Sequence, residues 1–242
     1  MIETLAREIG FCLEGNYNAS RLLWDNLDTN SERRAILSDS GNFTYGQLAV
    51  EAAKVGNVLL QAGCKPKERI LLFLNDEPAY PAAIMGALRA GFVPVLVNTL
   101  TPPDLIRYCL QDSSATTAVV SEDHADLFTQ ETVKGTACHT VIATANGQPW
   151  AAMEPDLPEY PTTATDMAFW MYSSGSTGKP KGVVHKHEDA LYTACSYARH
   201  ILKINKDDIC FSVPKIFFAY GFIIDLNKES LQSWCGQTVG IS

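Results

Sequence analysis

Arg69-Ile-Leu-Leu-Phe-Leu74 sets five apolar side chains in a row behind one arginine. Side chains alternate between the two faces of a strand, so a strand here is apolar on both faces and both must be covered. Such a strand belongs inside a parallel sheet with helices on either side. Phe92-Val-Pro-Val-Leu-Val97, Thr117-Ala-Val-Val-Ser121, His139-Thr-Val-Ile-Ala143 and Asp166-Met-Ala-Phe-Trp-Met171 read as further strands. Helical segments lie between them. Thr44 is placed as an N-cap, with Leu48, Ala52, Val55 and Leu59 at helical spacing up to Gly63. Residues 78–90 form a small-residue-rich helix ending at Gly91, and residues 102–111 a helix opened by Thr101 with proline in its first turn. A helix over 123–130, a short helix over 19–27 and a short strand over 35–38 complete the reading. Strand and helix alternate at intervals that suit βαβ crossovers, so the class is α/β with a mostly parallel sheet flanked by helices.

The clearest break is 145–165, where Pro149, Pro155, Pro158 and Pro161 fall close together with acids between them. It reads as an extended surface connection. The expected division is therefore a first α/β unit over 1–165, the start of a second over 166–222, and an atypical tail over 223–242.

Lysine and arginine number 19 against 27 acids, a net charge of −8 with no basic run, which argues against nucleic-acid binding. The 46% hydrophobic content supports a proper core. Cys12, Cys64, Cys109, Cys138, Cys195, Cys210 and Cys235 are scattered and odd in number, with no C-x-x-C. They fit neither a disulfide framework nor a zinc site and read as small buried hydrophobes in a reducing compartment. The first ten residues place acids where a signal peptide has a basic region, and no apolar run reaches transmembrane length, so a cytoplasmic protein without a membrane partner is expected.

The chemistry concentrates in Tyr172-Ser-Ser-Gly-Ser-Thr-Gly-Lys-Pro-Lys-Gly182, followed by Val183-Val-His-Lys-His187. Gly175, Gly178 and Gly182 permit positive φ and close backbone approach to a ligand. Successive N–H groups in such a loop point at one anion. Ser173, Ser174, Ser176 and Thr177 add hydroxyl donors, and Lys179 and Lys181 add two point charges. The competing reading is a flexible surface linker; its place directly after a core-type strand argues against that. It is not a P-loop, since Gly178-Lys179 is followed by Pro180 and Ser173 stands where the first glycine belongs, nor does the glycine spacing supply a dinucleotide fingerprint. His185 and His187 would share one face of a strand. Without a third ligand they make no metal site; one is expected to support the loop or the substrate pocket and the other to be solvated. Lys215-Ile-Phe-Phe-Ala-Tyr-Gly221 reads either as core packing at a strand end or as an aromatic wall for a flat substrate.

The ten residues from Ser173 to Gly182 resemble the phosphate-loop signature of the adenylate-forming, AMP-binding enzymes: acyl-CoA synthetases, luciferases and peptide-synthetase adenylation domains. Tyr172, Val184-His185, residues 215–221 and Val93-Pro-Val-Leu-Val-Asn-Thr-Leu100 are similar to the benzoate–CoA ligase branch. The resemblance runs over roughly residues 15–222 and implies the N-terminal lobe of that family, incomplete. It implies ATP-phosphate binding by Ser173, Ser174, Gly175, Ser176, Thr177, Gly178, Lys179 and Lys181. It also implies an aryl-acid pocket lined by Phe218, Ala219, Tyr220 and Gly221.

The implied reaction has two steps. A carboxylate attacks the α-phosphorus of ATP in the presence of Mg²⁺, giving an acyl-adenylate and pyrophosphate, and the thiol of coenzyme A then displaces AMP. An anion must approach a polyanion, so donors and lysines that spread the charge lower the barrier. Benzoate is the leading substrate, ahead of hydroxy- or aminobenzoate. The family's Thr-Glu pair, ribose-binding aspartate and C-terminal catalytic lysine have no counterpart here, so no catalytic residue and no metal ligand is assigned. The chain is expected to be a truncated N-terminal part unable to complete the reaction by itself. The alternatives are a catalytically incomplete nucleotide-binding fragment, or a truncated product without function. Self-association through an incomplete sheet is a further expectation.

Overall fold

The computed structural model describes residues 4, 7, 13–39, 41–144, 149–173, 178–205, 208–219 and 234–235, for the last two the backbone alone. Two short helices, α1 (Arg21–Trp24) and α2 (Leu27–Asn30), stand where one was expected over 19–27. The Asn26 side chain donates to the Leu22 carbonyl at 2.7 Å, a local bond that competes with helix continuation. A hairpin of β1 (Arg34–Ile36) and β2 (Phe43–Thr44) leads into α3 (Tyr45–Gln61). Thr44 caps α3 as expected: its hydroxyl accepts from the Gln47 N–H, and the Gln47 side chain accepts from the Thr44 N–H.

The chain then alternates through β3 (Arg69–Phe73), α4 (Ala79–Arg89), β4 (Val93–Leu96), α5 (Pro103–Ser113) and β5 (Thr117–Ser121). The N-cap position of α5 is Pro102 rather than Thr101, because Pro103 holds its predecessor extended, at ψ 158°. The helix expected over 123–130 is a 3₁₀ turn (Glu122–Leu127) and a separate α6 (Gln130–Val133). Thr129 divides them by accepting from the Thr132 N–H. After β6 (Thr140–Thr144) come β7 (Met167–Ser173), β8 (Lys181–Lys186) and α7 (His187–Thr193). Directly after α7 the chain widens into a π-helical stretch, Ala194–Ile201. β9 (Cys210–Phe211) and β10 (Trp234–Cys235) pair separately.

β3 to β8 form one six-stranded sheet in the order β6-β5-β3-β4-β7-β8, parallel except for β8. The sheet is continuous across the proline-rich stretch, since β7 lies beside β4 with Val95 opposite Trp170. Both faces are covered. Ile70, Leu72 and Leu74 pack with α3 and α4 through Leu48, Leu59 and Ile84, while Leu71, Phe73 and Val95 pack with Ile106, Cys109 and Leu110 of α5. Cys64, Cys109, Cys138 and Cys195 are buried, and burial pushes the Cys109 thiol up to about 12.

Residues 149–165 run largely exposed over the surface and are fastened to it as a strap. Trp150 and Leu157 are buried, the Asn57 amide donates to the Glu154 and Asp156 carbonyls at 2.8 Å, and Arg89 donates to the Leu157 carbonyl at 2.8 Å. Prolines supply no N–H, so side chains of α3 and α4 satisfy the strap's carbonyls instead.

Candidate functional site

In an open parallel sheet, ligands gather outside the carboxyl ends of the strands. Two expected site segments lie at that edge. Ser173 ends β7, which runs parallel to β3–β6, and Lys181 starts β8 directly opposite it in register. The glycine-rich stretch is therefore the connection of a hairpin whose two strands are both anchored in the sheet. Ser173, Gly178, Lys179 and Lys181 are exposed. Ser174, Gly175, Ser176 and Thr177 lie outside the described residues.

Gly178 has φ 81°, a conformation that favours glycine, and a Cβ built there meets nothing within 4 Å. The backbone thus turns beside open space, with two lysines following in a molecule that is acidic as a whole. Room, exposed backbone and local positive charge fit a polyanion. Lys179 Nζ rests 5.3 Å from the centroid of the Tyr108 ring on α5. At the entry, the Tyr172 hydroxyl donates to Asp112 Oδ2 at 2.8 Å and to the Cys109 carbonyl at 3.3 Å. Burial, then the carboxylate bond, pushes the Tyr172 hydroxyl pKa well up, so it remains a donor.

The second segment follows β9. Asp76, just beyond the end of β3, accepts from the Ile216 N–H at 3.2 Å through Oδ1, and its Oδ2 lies 4.0 Å from Lys215 Nζ. Desolvation raises the Asp76 carboxyl above its usual range, against the Ile216 bond and the Lys215 charge. This tie across 140 residues brings the aromatic segment to the same sheet edge as the glycine-rich connection. Ile216 and Phe217 turn into the core; Phe218 is 47% exposed and packs on Phe217 at 4.8 Å between centroids. The packing reading holds for Ile216 and Phe217, while Phe218 faces outward with Ala219 exposed beside it. Tyr220 and Gly221 lie outside the described residues.

The two histidines do not share a strand face, because β8 ends at Lys186 and His187 begins α7. His187 is buried, and its Nδ1 accepts from the Ala19 N–H at 2.9 Å. Desolvation pushes it down to about 4 despite the nearby Asp166 carboxylate, which raises it. His185 is half-buried, stacked on Phe169 at 4.7 Å and 3.5 Å from Asp189 Oδ2. Among the described residues no three potential metal ligands cluster, and no helix is long and apolar enough to cross a membrane. Tyr108, Asp112 and Asp76 were not singled out by the sequence. Each meets the site only through packing of distant elements, and none carries a local motif.

Comparison with known proteins agrees with this geometry. Residues 23–228 match the model of the AMP-binding enzyme family. The chain is 40% identical over 196 residues to a benzoate–CoA ligase of Thauera aromatica. It is 34% identical over 195 residues to a 4-hydroxybenzoate–CoA/benzoate–CoA ligase of Rhodopseudomonas palustris. These alignments take in 78% and 77% of the chain but only 37% and 36% of the relatives, so the chain spans little more than a third of their length. Among solved structures, a benzoate CoA ligase from Burkholderia xenovorans LB400 superposes with a TM-score of 0.79 at 33% identity, over 91% of this chain and 45% of that one. The anthranilate CoA ligase AuaEII in complex with anthranoyl-AMP gives 0.86 at 26% identity, over 92% and 45%. With the family signature in the connection between β7 and β8, and that connection at the carboxyl edge of a parallel sheet, the chain belongs to the AMP-binding enzyme family.

Proposed function

We propose that the chain supplies the polyphosphate cradle and one wall of the aryl-acid pocket of an ATP-dependent, benzoate-type CoA ligase. The observation that carries this reading is the common position of two segments: the Gly178-Lys179 turn and the Asp76-held aromatic segment both lie at the carboxyl edge of one sheet. A carboxylate held against Phe218 would stand at the same edge of the sheet as the lysines that take up phosphate charge. ATP, Mg²⁺ and coenzyme A are the implied reactants and metal. Lys179 and Lys181 are the chain's own groups for the β- and γ-phosphates, and Ser173 to Thr177 add donors to the same cradle. These residues bind and orient, and the positive charge they concentrate offsets the charge that develops on the departing pyrophosphate. Residues 1–165 act on this reading as the scaffold and 166–222 as the site-bearing unit. The acidic composition and the scattered cysteines without a C-x-x-C suit a cytoplasmic setting.

The test is a thermal melt of the purified chain with and without Mg-ATP, then with benzoate added. A ligand held only by the folded state stabilises by about 2.7 kcal/mol at about 100 times its Kd. A clear rise in Tm with Mg-ATP is expected, and Lys181→Ala should lose most of it while melting normally without ligand. An equal rise in the variant would remove Lys181 from the cradle; no rise in either would end the nucleotide-binding reading.

A further inference from the structure

We infer that helix α5 is the mount of the phosphate-binding connection, and that Asp112 and Tyr108 are its positioning residues. This rests on the nucleotide-binding reading above. Tyr108 and Asp112 are four residues apart and so lie one turn apart on the same face of α5. Asp112 receives the Tyr172 hydroxyl at 2.8 Å, two residues before the connection begins, and Tyr108 lies under Lys179 towards its far end. One helical face thus holds both ends of the segment from Tyr172 to Lys179.

The strands are shaped to allow this. Tyr172 stands opposite Gly182 in the β7–β8 pairing. A Cβ on Gly182 would come 3.0 Å from Trp170 Cε3 and 3.3 Å from Tyr172 Cε1, so the glycine leaves room for both rings beside β8. The Tyr172 ring then packs on the α5 side of the sheet, which places its hydroxyl at the helix. Neither Tyr108 nor Asp112 belongs to the glycine-rich motif. Their effect would be indirect: a loop held near its binding conformation loses less entropy when ligand arrives. The two ties differ in kind. The carboxylate bond fixes the entry in direction, whereas the ring under Lys179 leaves the ammonium free to exchange its seat for a phosphate oxygen.

A double-mutant cycle tests the mount, with Mg-ATP affinity and the ligand-free Tm read on the same preparations. Tyr172→Phe and Asp112→Ala should each weaken Mg-ATP binding about 5–10-fold. Because Tyr172→Phe already removes the bond that Asp112→Ala breaks, the double variant should be no weaker than the worse single by more than about 2-fold. Asp112→Asn, which keeps an acceptor, should stay within about 2-fold of wild type. Tyr108→Leu should cost about 2–5-fold and Tyr108→Phe should not, since the ring is what matters. Ligand-free Tm should stay within about 2 °C throughout. Additive losses, unchanged affinities, or losses that merely follow Tm would each overturn the inference. If the wild-type chain binds no Mg-ATP, the functional reading falls, and amide exchange in the free chain decides the mount. Faster exchange at 178–182 in Tyr172→Phe and Asp112→Ala, with β3 to β5 unchanged, would support it; equal exchange at 178–182 would overturn it.

Discussion

At the scale of single residues, His187 does work that its neighbour His185 does not. Its Nδ1 accepts from the Ala19 N–H, so the neutral ring fastens the segment before α1 to the start of α7. The folded protein holds its pKa near 4, below the ordinary value of 6.5, because burial penalises the cation. The stabilising contribution is therefore complete above about pH 6.5 and is lost as pH falls towards about 4, where the unfolded chain takes up the proton first. A shift of that size corresponds to a few kcal/mol, on the order of 3. Urea denaturation at pH 7 and pH 4.5 should show His187→Asn, which keeps an acceptor but does not titrate, losing less stability between the two pH values than wild type. Parallel losses in both would show that other groups carry the acid sensitivity. Sequence pattern announces the glycines and lysines of residues 173–182, because their chemistry is local. It announces neither the fate of His187 nor the presence of Tyr108, Asp112 and Asp76 at the site. Those depend on which elements pack together, and an alternating His-x-His reads identically on a strand and across a strand–helix junction.

Elements were more legible than residues. Continuous apolar runs located β3, β4, β5 and β7, and the Thr44 signal located the start of α3, because both signals depend on local burial and capping. The reading missed where tertiary contacts or side-chain bonds interrupt a helical pattern, at Asn26 and Thr129. The packing of α3 on α4 was also invisible, although small residues at Ala52, Gly56 and Gly86 are its cause. A Cβ on Gly86 would sit 2.1 Å from the Ala52 carbonyl oxygen and 3.0 Å from the Gly56 nitrogen, both backbone atoms that no rotamer change can move aside. Gly86→Ala raises helix propensity by about 1 kcal/mol. Separating two helices that pack so closely costs about 3 kcal/mol, the upper end of overpacking penalties. The net expectation is a loss of about 2 kcal/mol, read as a lower urea midpoint with an unchanged slope. A neutral or stabilising result would mean that the two helices slide apart at little cost and that close packing does not define this side of the sheet.

Over the whole molecule, apolar surface is distributed unevenly. Ile201, Ile209, Phe211 and Val213 are 66%, 69%, 49% and 80% exposed, and the six-stranded sheet ends, among the described residues, at β8. Isolated exposed apolar side chains are ordinary, but several within one short stretch mark a contact surface. If the chain self-associates, two routes are open and they differ in sign. Pairing β8 edge to edge, antiparallel about Val183 and Val184, sets Lys181 of one copy opposite Lys186 of the other, and lysines on an edge discourage such pairing. Burying Ile209 and Val213 meets no such opposition and is worth about 1.5–3 kcal/mol for each side chain fully covered, more than an exposed like-charge pair costs. Association should therefore run through the 201–213 surface, with a sedimentation coefficient that rises across roughly the micromolar to millimolar range. Ile209→Glu combined with Val213→Glu should abolish the rise, while Val183→Thr should leave it. Loss in Val183→Thr alone would instead assign association to the edge of the sheet, and a concentration-independent monomer would show that the acidic net charge outweighs the apolar surface.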